Sequence, residues 1–235
     1  MSKKSDIGIL GLGVMGQNLA LNFEHNGYAV SVYNRIAEGE EKIVDDFIEN
    51  RCDHKQIYGY TNLKIFIQSL KRPRKIFLMI KAGPIVDNVL ESIIPLLAED
   101  DIVIDGGNSY YLDTNRRIKL LNKHKIEYLG CGVSGGSYGA LNGPSIMPGG
   151  SYIAWNATKK MLRKIAAKDK NNNPCCQIIG LDGSGHYVKM VHNGIEYAIM
   201  QILAESYDVQ KNICNMDNNE IYTVMEKWAN NGLRS

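Results

Sequence analysis

The sequence predicts an α/β fold: a doubly wound, mainly parallel sheet covered by helices, followed by the start of an all-helical domain. Three observations predict it. Short apolar runs alternate with helix-like stretches over the larger part of the chain, an order that implies parallel strands joined by helical crossovers. A glycine-rich turn closes the first apolar run, and from about Asp182 the pattern becomes continuously helical. The expected boundary is near Leu181, giving residues 1–181 to the sheet domain and 182–235 to the beginning of the helical one.

Taken in order, the strand candidates are "DIGIL", "YAVSVY", "KIFLMI", "DIVID" and "IEYLG", with helices beginning near Val14, Ala37, Pro84 and Tyr111. After the glycine-rich segment "GCGVSGGSYGALNGPSIMPGG", a shorter strand-helix-strand passage is expected to end at "CCQIIG". One long helix then runs through Gln210, and another starts at Asp217. "KDKNNNP" reads as a solvated loop, and neither a flexible linker nor an internal repeat is visible.

Composition excludes several classes. Of 235 residues, 44% are hydrophobic and 22% charged, which suits a soluble chain of one large domain or two unequal ones. The formal net charge of +2 gives no support to a nucleic-acid surface, and "KRPRK" reads as a solvated turn. No uncharged run reaches the roughly 18 residues of a spanning helix. "MSKKSDIGIL" lacks a signal-peptide core, so a cytoplasmic protein without membrane contact is expected. The five cysteines form no CxxC, which argues against a disulfide framework and a zinc site; no metal is expected.

"GLGVMG" is a GxGxxG at Gly11, Gly13 and Gly16, placed after a strand and at the start of a helix. That context makes it a Rossmann-like dinucleotide turn, whose glycines let a pyrophosphate approach backbone N–H groups at a helix N-terminus. The whole turn, with Leu12, Val14 and Met15, is assigned to the cofactor. The second strand ends in "YNR", Tyr33 to Arg35. An NAD site usually has an acidic residue about here, whereas Arg35 beside Asn34 attracts a 2'-phosphate, so the cofactor read from this turn is NADP. Two more loops follow strand ends, where ligands of such sheets collect: "IKAG" (Ile80, Lys81, Ala82, Gly83) and "DGGNS" with Asn108. "GVSGG" adds Ser134, Gly135 and Gly136, with backbone N–H groups suited to a carboxylate or hydroxyls.

The stretch "VKMVHNGIEY" is polar at a spacing normally kept for core residues. With Lys189 as origin, His192, Asn193, Glu196 and Tyr197 fall at i+3, i+4, i+7 and i+8, on one helical face. A solvated face would more often carry Lys and Glu alone, so a wet cleft is expected instead of open water.

These segments, with "GPSIMPGG" and "GHYVKMVHNGIEY", occur in the order and approximate spacing of the 6-phosphogluconate dehydrogenase family, and the resemblance covers essentially the whole chain. It implies an NADP-dependent, decarboxylating oxidoreductase of the pentose phosphate pathway and gluconate utilisation, homodimeric when intact. Lys189 matches the general base that takes the C3 hydroxyl proton of 6-phosphogluconate, with burial and nearby cations lowering its pKa. Glu196 matches the acid that protonates C1 of the enediol, a role that desolvation would help. Asn108, Ser134, Gly135, Gly136, His192, Asn193 and Tyr197 match substrate contacts, Tyr197 at the phosphate. "HNGIEY" favours this family over another β-hydroxyacid dehydrogenase, such as one acting on 3-hydroxyisobutyrate.

Three departures qualify what the resemblance implies. Ile36 stands where the family usually has Thr, so a hydroxyl that helps hold the 2'-phosphate is missing. Ser137, Tyr138 and Leu141 replace acidic residues and an Arg after "SGG". Family members are about twice this long, and "NGLRS" does not look like their continuation. The family's remaining cationic contacts come from the later helical domain and a partner subunit. The helix also has an apolar back face of Val191, Ile195, Ala198 and Ile202. The expectation for these residues alone is NADP binding, self-association or poor solubility, and little oxidation.

Overall fold

A computed structural model describes residues 4–53 and 55–233, the last without its side chain. The opening "MSK" and the closing "RS" of "NGLRS" lie outside the described residues. The chain divides into two compact units, Met1–Met190 and Val191–Ser235.

The first unit is built on seven strands: β1 (Ile7–Leu10), β2 (Val30–Tyr33), β3 (Ile57–Tyr60), β4 (Lys75–Leu78), β5 (Ile102–Asp105), β6 (Glu127–Ser134) and β7 (Ser145–Gly150). Their order is β3-β2-β1-β4-β5-β6-β7. All neighbours are parallel except β7, which runs antiparallel to β6. Chain order reverses beside β1, between β2 and β4, and such a switch point opens a crevice at the carboxyl ends of the strands.

The strands are apolar on both sides because both faces are covered. Successive residues point to opposite faces. Phe77, Ile102 and Ile104 join one cluster, with Leu19 and Phe23 of helix α1 (Val14–His25), Phe47 of α2 (Ile43–Arg51) and Leu162 of α7 (Tyr152–Ile165). Ile76, Leu78 and Val103 join the other, with Phe66 of α3 (Leu63–Gln68), Leu90 of α4 (Pro84–Ile93) and Leu121 of α5 (Tyr111–Asn122). Each such side chain, once fully buried, stabilises the fold by about 1.5–3 kcal/mol.

Several elements differ from the sequence expectation. Helix α2 starts at Ile43, not near Ala37, because a turn closes from the Glu40 N–H to the Ala37 carbonyl (2.8 Å) around Gly39, whose φ is 77°. Strand β3 and helix α3 went unread: β3 is an edge strand with two exposed residues and lacks a clean apolar pattern. The glycine-rich segment, to which the sequence expectation gave no element of its own, holds the end of β6, helix α6 (Gly136–Asn142) and β7. "CCQIIG" makes only isolated bridges to β7, Cys176 to Ile146 and Gly180 to Gly149, since β7 carries Pro148 with no N–H to give.

Helix α8 runs Ser184–Asp208 and widens into a π-type turn, Val209–Ile213. Helix α9 (Asn218–Trp228) begins where the sequence placed it. The Asp217 side chain accepts the Asn219 and Glu220 N–H groups (2.8 and 2.9 Å), and Glu220 accepts the Asp217 N–H (2.8 Å). Among the described residues no helix is long and apolar enough to cross a membrane, and no group of His, Cys, Asp or Glu has the arrangement of a metal site.

Candidate active site

The turn between β1 and α1 uses its three glycines differently. Gly11 has φ 102°, and a Cβ there would collide with the Met79 carbonyl oxygen; at Gly16 it would collide with the carbonyl of Gly11. Gly13 has nothing within 4 Å, so this position keeps open space over the backbone for a ligand. Gly13 also caps α1 in an extended conformation, with no side-chain cap and no acidic residue in the first helical turn. The positive end of the helix is left for an anion, which is the fit a dinucleotide pyrophosphate requires.

Two clefts of about 550 Å³ each flank this turn. The first is lined by Gly11, Leu12, Gly13, Asn34, Arg35, Ile80 and Lys81, among others. The second is lined by Gly13, Val14, Met15, Gly16, Ile80, Lys81, Ala82 and Asn108, with Gly106, Gly107 and Val133. Ile36, whose side chain is exposed, lines neither cleft, and nor does Gly83 at the end of "IKAG"; the other cofactor residues named from the sequence line one or both. Leu12 offers little of itself, for its side chain is buried in the core and its N–H donates to Asn34 Oδ1 at 3.1 Å. Asn34 is thus a brace for the glycine turn.

The loops after β4 and β5 are held from beneath by a buried polar network that sequence reading missed. Arg117 of α5 is fully buried. Its guanidinium donates to Asp87 Oδ1 (2.9 Å) and Oδ2 (3.1 Å), to the Gly83 carbonyl (2.9 Å) and to Ser109 Oγ (3.2 Å). This bond from Arg117 holds the Asp87 carboxyl down to about 2. Asp105 accepts from Ser109 Oγ (2.6 Å), Tyr128 Oη (2.9 Å) and the Gly107 N–H (3.1 Å). One cation therefore ties "IKAG" to "DGGNS" and leaves the Asn108 side chain exposed at the cleft. No local pattern around Arg117, the second residue of an "RR" pair in α5, marks it as a buried cation.

At the end of β6, Ser134 leads into Gly135 and Gly136, whose φ values are 129° and 59°. Asn18 and Asn22 of α1 hold the following helix α6 through the carbonyls of Ser137 (2.8 Å) and Ala140 (3.0 Å). Tyr138 is 78% exposed, whereas Leu141 packs against the core. The start of α8 lies against these strands. Cβ atoms added at Gly132 would come 2.6 Å from Lys189 Cβ, so the missing side chain makes room for the lysine stem. Lys189 is 8% exposed. His186 is buried between Thr114 Oγ1 (2.6 Å) and the Asp105 carbonyl (3.0 Å), and burial pushes its imidazole down.

In the second unit, His192 Nδ1 lies 3.2 Å from Asn193 Oδ1 and 3.6 Å from Glu196 Oε2. The Glu196 side chain is 55% exposed and Tyr197 is 70% exposed. A wet cleft was expected for the whole face; within this chain only Lys189 is buried, while Glu196 and Tyr197 stand in open water because no described element covers them.

The matching family models are the NAD binding domain of 6-phosphogluconate dehydrogenase, over residues 6–180, and the 6-phosphogluconate dehydrogenase C-terminal domain, over residues 185–235. The decarboxylating 6-phosphogluconate dehydrogenase of Dictyostelium discoideum is 47% identical over 233 residues, 99% of this chain and 46% of that protein. The chain thus spans about half the length of the curated relatives it matches. The 6-phosphogluconate dehydrogenase of Plasmodium falciparum, solved in its apo form and in complex with its cofactor NADP+ and its substrate 6-phosphogluconate, superposes with a TM-score of 0.86 at 46% identity, over 96% of this chain and 47% of that one. A 3-hydroxyisobutyrate dehydrogenase from Mycobacterium tuberculosis reaches 0.75 at 18% identity, over 94% of this chain and 70% of that one, a likeness of fold alone. With a family model matched over most of its length and a second over the remainder, the chain belongs to the 6-phosphogluconate dehydrogenase family.

Proposed function

We propose that these residues form the NADP-binding and proton-transferring part of an enzyme that converts 6-phosphogluconate to ribulose 5-phosphate, carbon dioxide and NADPH. One observation carries the reading: a dinucleotide cleft at the sheet's switch point and the buried Lys189 seated on β6 belong to the same compact unit. NADP, when bound, supplies the hydride acceptor. The turn Gly11–Gly16 and the N-terminus of α1 hold its pyrophosphate, and Arg35 pairs with the 2'-phosphate.

Lys189 takes the C3 hydroxyl proton as hydride leaves C3, acting as a neutral amine. As an ammonium it then hydrogen-bonds the C3 ketone oxygen and stabilises the enolate left by loss of carbon dioxide. Glu196 delivers the proton to C1. Asn108, Ser134, Gly135, Gly136, His192 and Asn193 orient the sugar acid, and Tyr197 meets its phosphate. Residues 182–235 begin the helical substrate and dimerisation domain of a cytoplasmic homodimer. Support for self-association comes from the exposed strip of Val191, Ile195 and Ile202 on α8 (42%, 58% and 61% exposed).

Two variants test the reading, with NADP binding followed by fluorescence and NADPH formation by absorbance. Arg35→Glu should weaken NADP much more than NAD; Lys189→Ala should spare NADP affinity and, in the full-length enzyme, abolish oxidation. Near-normal turnover by Lys189→Ala removes the base assignment. A second reading, binding without turnover by the 235 residues alone, is favoured by the open positions of Glu196 and Tyr197. Robust turnover by a preparation of matching intact mass rejects it.

A further inference from the structure

The loop between β2 and α2 brings a carboxylate into the dinucleotide cleft. Glu40 lines the same cleft as Asn34 and Arg35, and its Oε2 accepts from Asn34 Nδ2 at 3.2 Å. Asn34 in turn accepts the Leu12 N–H at 3.1 Å, so two hydrogen bonds separate the Glu40 carboxylate from the glycine turn. The backbone fixes this placement, since the Glu40 N–H closes a turn on the Ala37 carbonyl at 2.8 Å. Arg35 and Glu40 therefore present opposite charges to one wall of one cleft.

In dinucleotide sites of this type, an acidic residue about 20 positions beyond the glycine turn accepts the ribose 2'-OH. It usually sits at the end of the second strand, where this chain has Asn34 and Arg35. Here the loop folds back and supplies the carboxylate from a later position. A carboxylate that accepts from a free 2'-OH must repel a 2'-phosphate in the same place, because like charges juxtaposed at an interface oppose binding. Ile36, exposed on the rim, adds no hydroxyl to offset that repulsion.

Resting on the dinucleotide reading above, we propose that Glu40 is a specificity-determining residue of this cleft. It accepts the 2'-OH of an unphosphorylated adenine dinucleotide and opposes a 2'-phosphate, so that with Arg35 acting the other way the site takes both NAD and NADP. The arrangement deepens the assignment of Arg35, which by itself would select strongly for the phosphorylated form.

The test is to titrate the 235-residue protein with NADP and with NAD, separately, as wild type and as Glu40→Gln. Glutamine keeps an amide oxygen for Asn34 and removes only the charge, so the loop should hold its shape. Wild type is expected to bind both dinucleotides within about tenfold of each other, and Glu40→Gln to shift the ratio toward NADP by about tenfold, a difference of about 1.4 kcal/mol. The shift should shrink at high salt. If both dinucleotides bind and the variant leaves their ratio unmoved, this inference fails while the dinucleotide reading survives. If neither binds to wild type, both fail together.

Discussion

The first two turns of α8 and the turns beyond Met190 are made of similar residues but are held differently. In the first, Gly185 lies so close to the sheet that an added Cβ would collide with the carbonyl oxygens of Met147 and Gly130, and would stand 2.7 Å from the Gly149 nitrogen. His186 and Lys189 are buried there. In the second, Val191, Ile195, Ile199 and Ile202 are 42–61% exposed despite regular apolar spacing. Apolar periodicity reports which face a helix is able to bury. Direct approach of backbone to backbone decides which polar residue is actually placed.

The largest break in this contrast should come from beneath the sheet loops. Arg117→Leu leaves Asp87 and Asp105 without their buried cation, and a loss of about 3–5 kcal/mol is expected in urea unfolding. Arg117→Lys should recover only part of it, because an ammonium lacks the planar fork that spans Asp87, Gly83 and Ser109. Full recovery by lysine would show that charge, and not geometry, holds the loops.

Gly185→Ala should follow, at about 3 kcal/mol or roughly 6–12 °C in Tm, since the obstructing atoms are backbone and have no rotamer to change. A change of less than about 2 °C would mean that α8 tolerates displacement from β6.

Acid should sharpen the same contrast. Burial lowers the His186 pKa in the folded state, so below about 6.5 the unfolded chain binds the extra proton first. The stabilisation is present at neutral pH and is lost as pH falls from about 6.5, by at most about 1.4 kcal/mol per pH unit. Asp87 adds a second loss at lower pH, between its ordinary value of 3.8 and about 2. His186→Gln should flatten the first slope and leave the second. An unchanged slope would remove His186 from the acid response.

The smallest effect is expected on the exposed part of the helix. Gly194 has nothing within 4 Å of a built Cβ, so Gly194→Ala should stabilise by about 0.5–1 kcal/mol through helix propensity alone. The same substitution thus has opposite signs nine residues apart. Destabilisation at Gly194 would mean that the helix beyond Met190 is more closely packed than its exposure indicates.

Sequence made most of the sheet legible because both of its faces are buried, leaving near-continuous apolar strands. The cofactor turn was legible because its chemistry is local: glycines, a helix start and a strand end within a few residues. What stayed hidden depends on distant partners. Glycine in "GCGVSGGSYGALNGPSIMPGG" reads as a loop signal, yet Gly130, Gly132 and Gly149 sit in β-strands where α8 or its side chains approach too closely for a Cβ. Arg117 reads as a surface residue until α4 and β5 are placed beside it. Glu40 lies six residues beyond Asn34, outside the strand end that usually carries the acidic residue, and only the fold of the loop returns it to Asn34. The helix face of Lys189 was legible from spacing, but the openness of Glu196 and Tyr197 was not, since periodicity does not reveal what covers a face.

The glycine-to-backbone seating of α8 also has a consequence in time. Amide protons near Gly185 and His186 are locked where the helix touches the sheet, so their exchange with solvent should require opening of the whole first unit. Those from Ile195 onward belong to exposed turns that open locally, and should exchange orders of magnitude faster along the same unbroken helix. A single helix would then carry two clocks, and Lys189 sits at the end of the slow segment. The buried Lys189 side chain would keep its position while the turns bearing Glu196 and Tyr197 come and go many times.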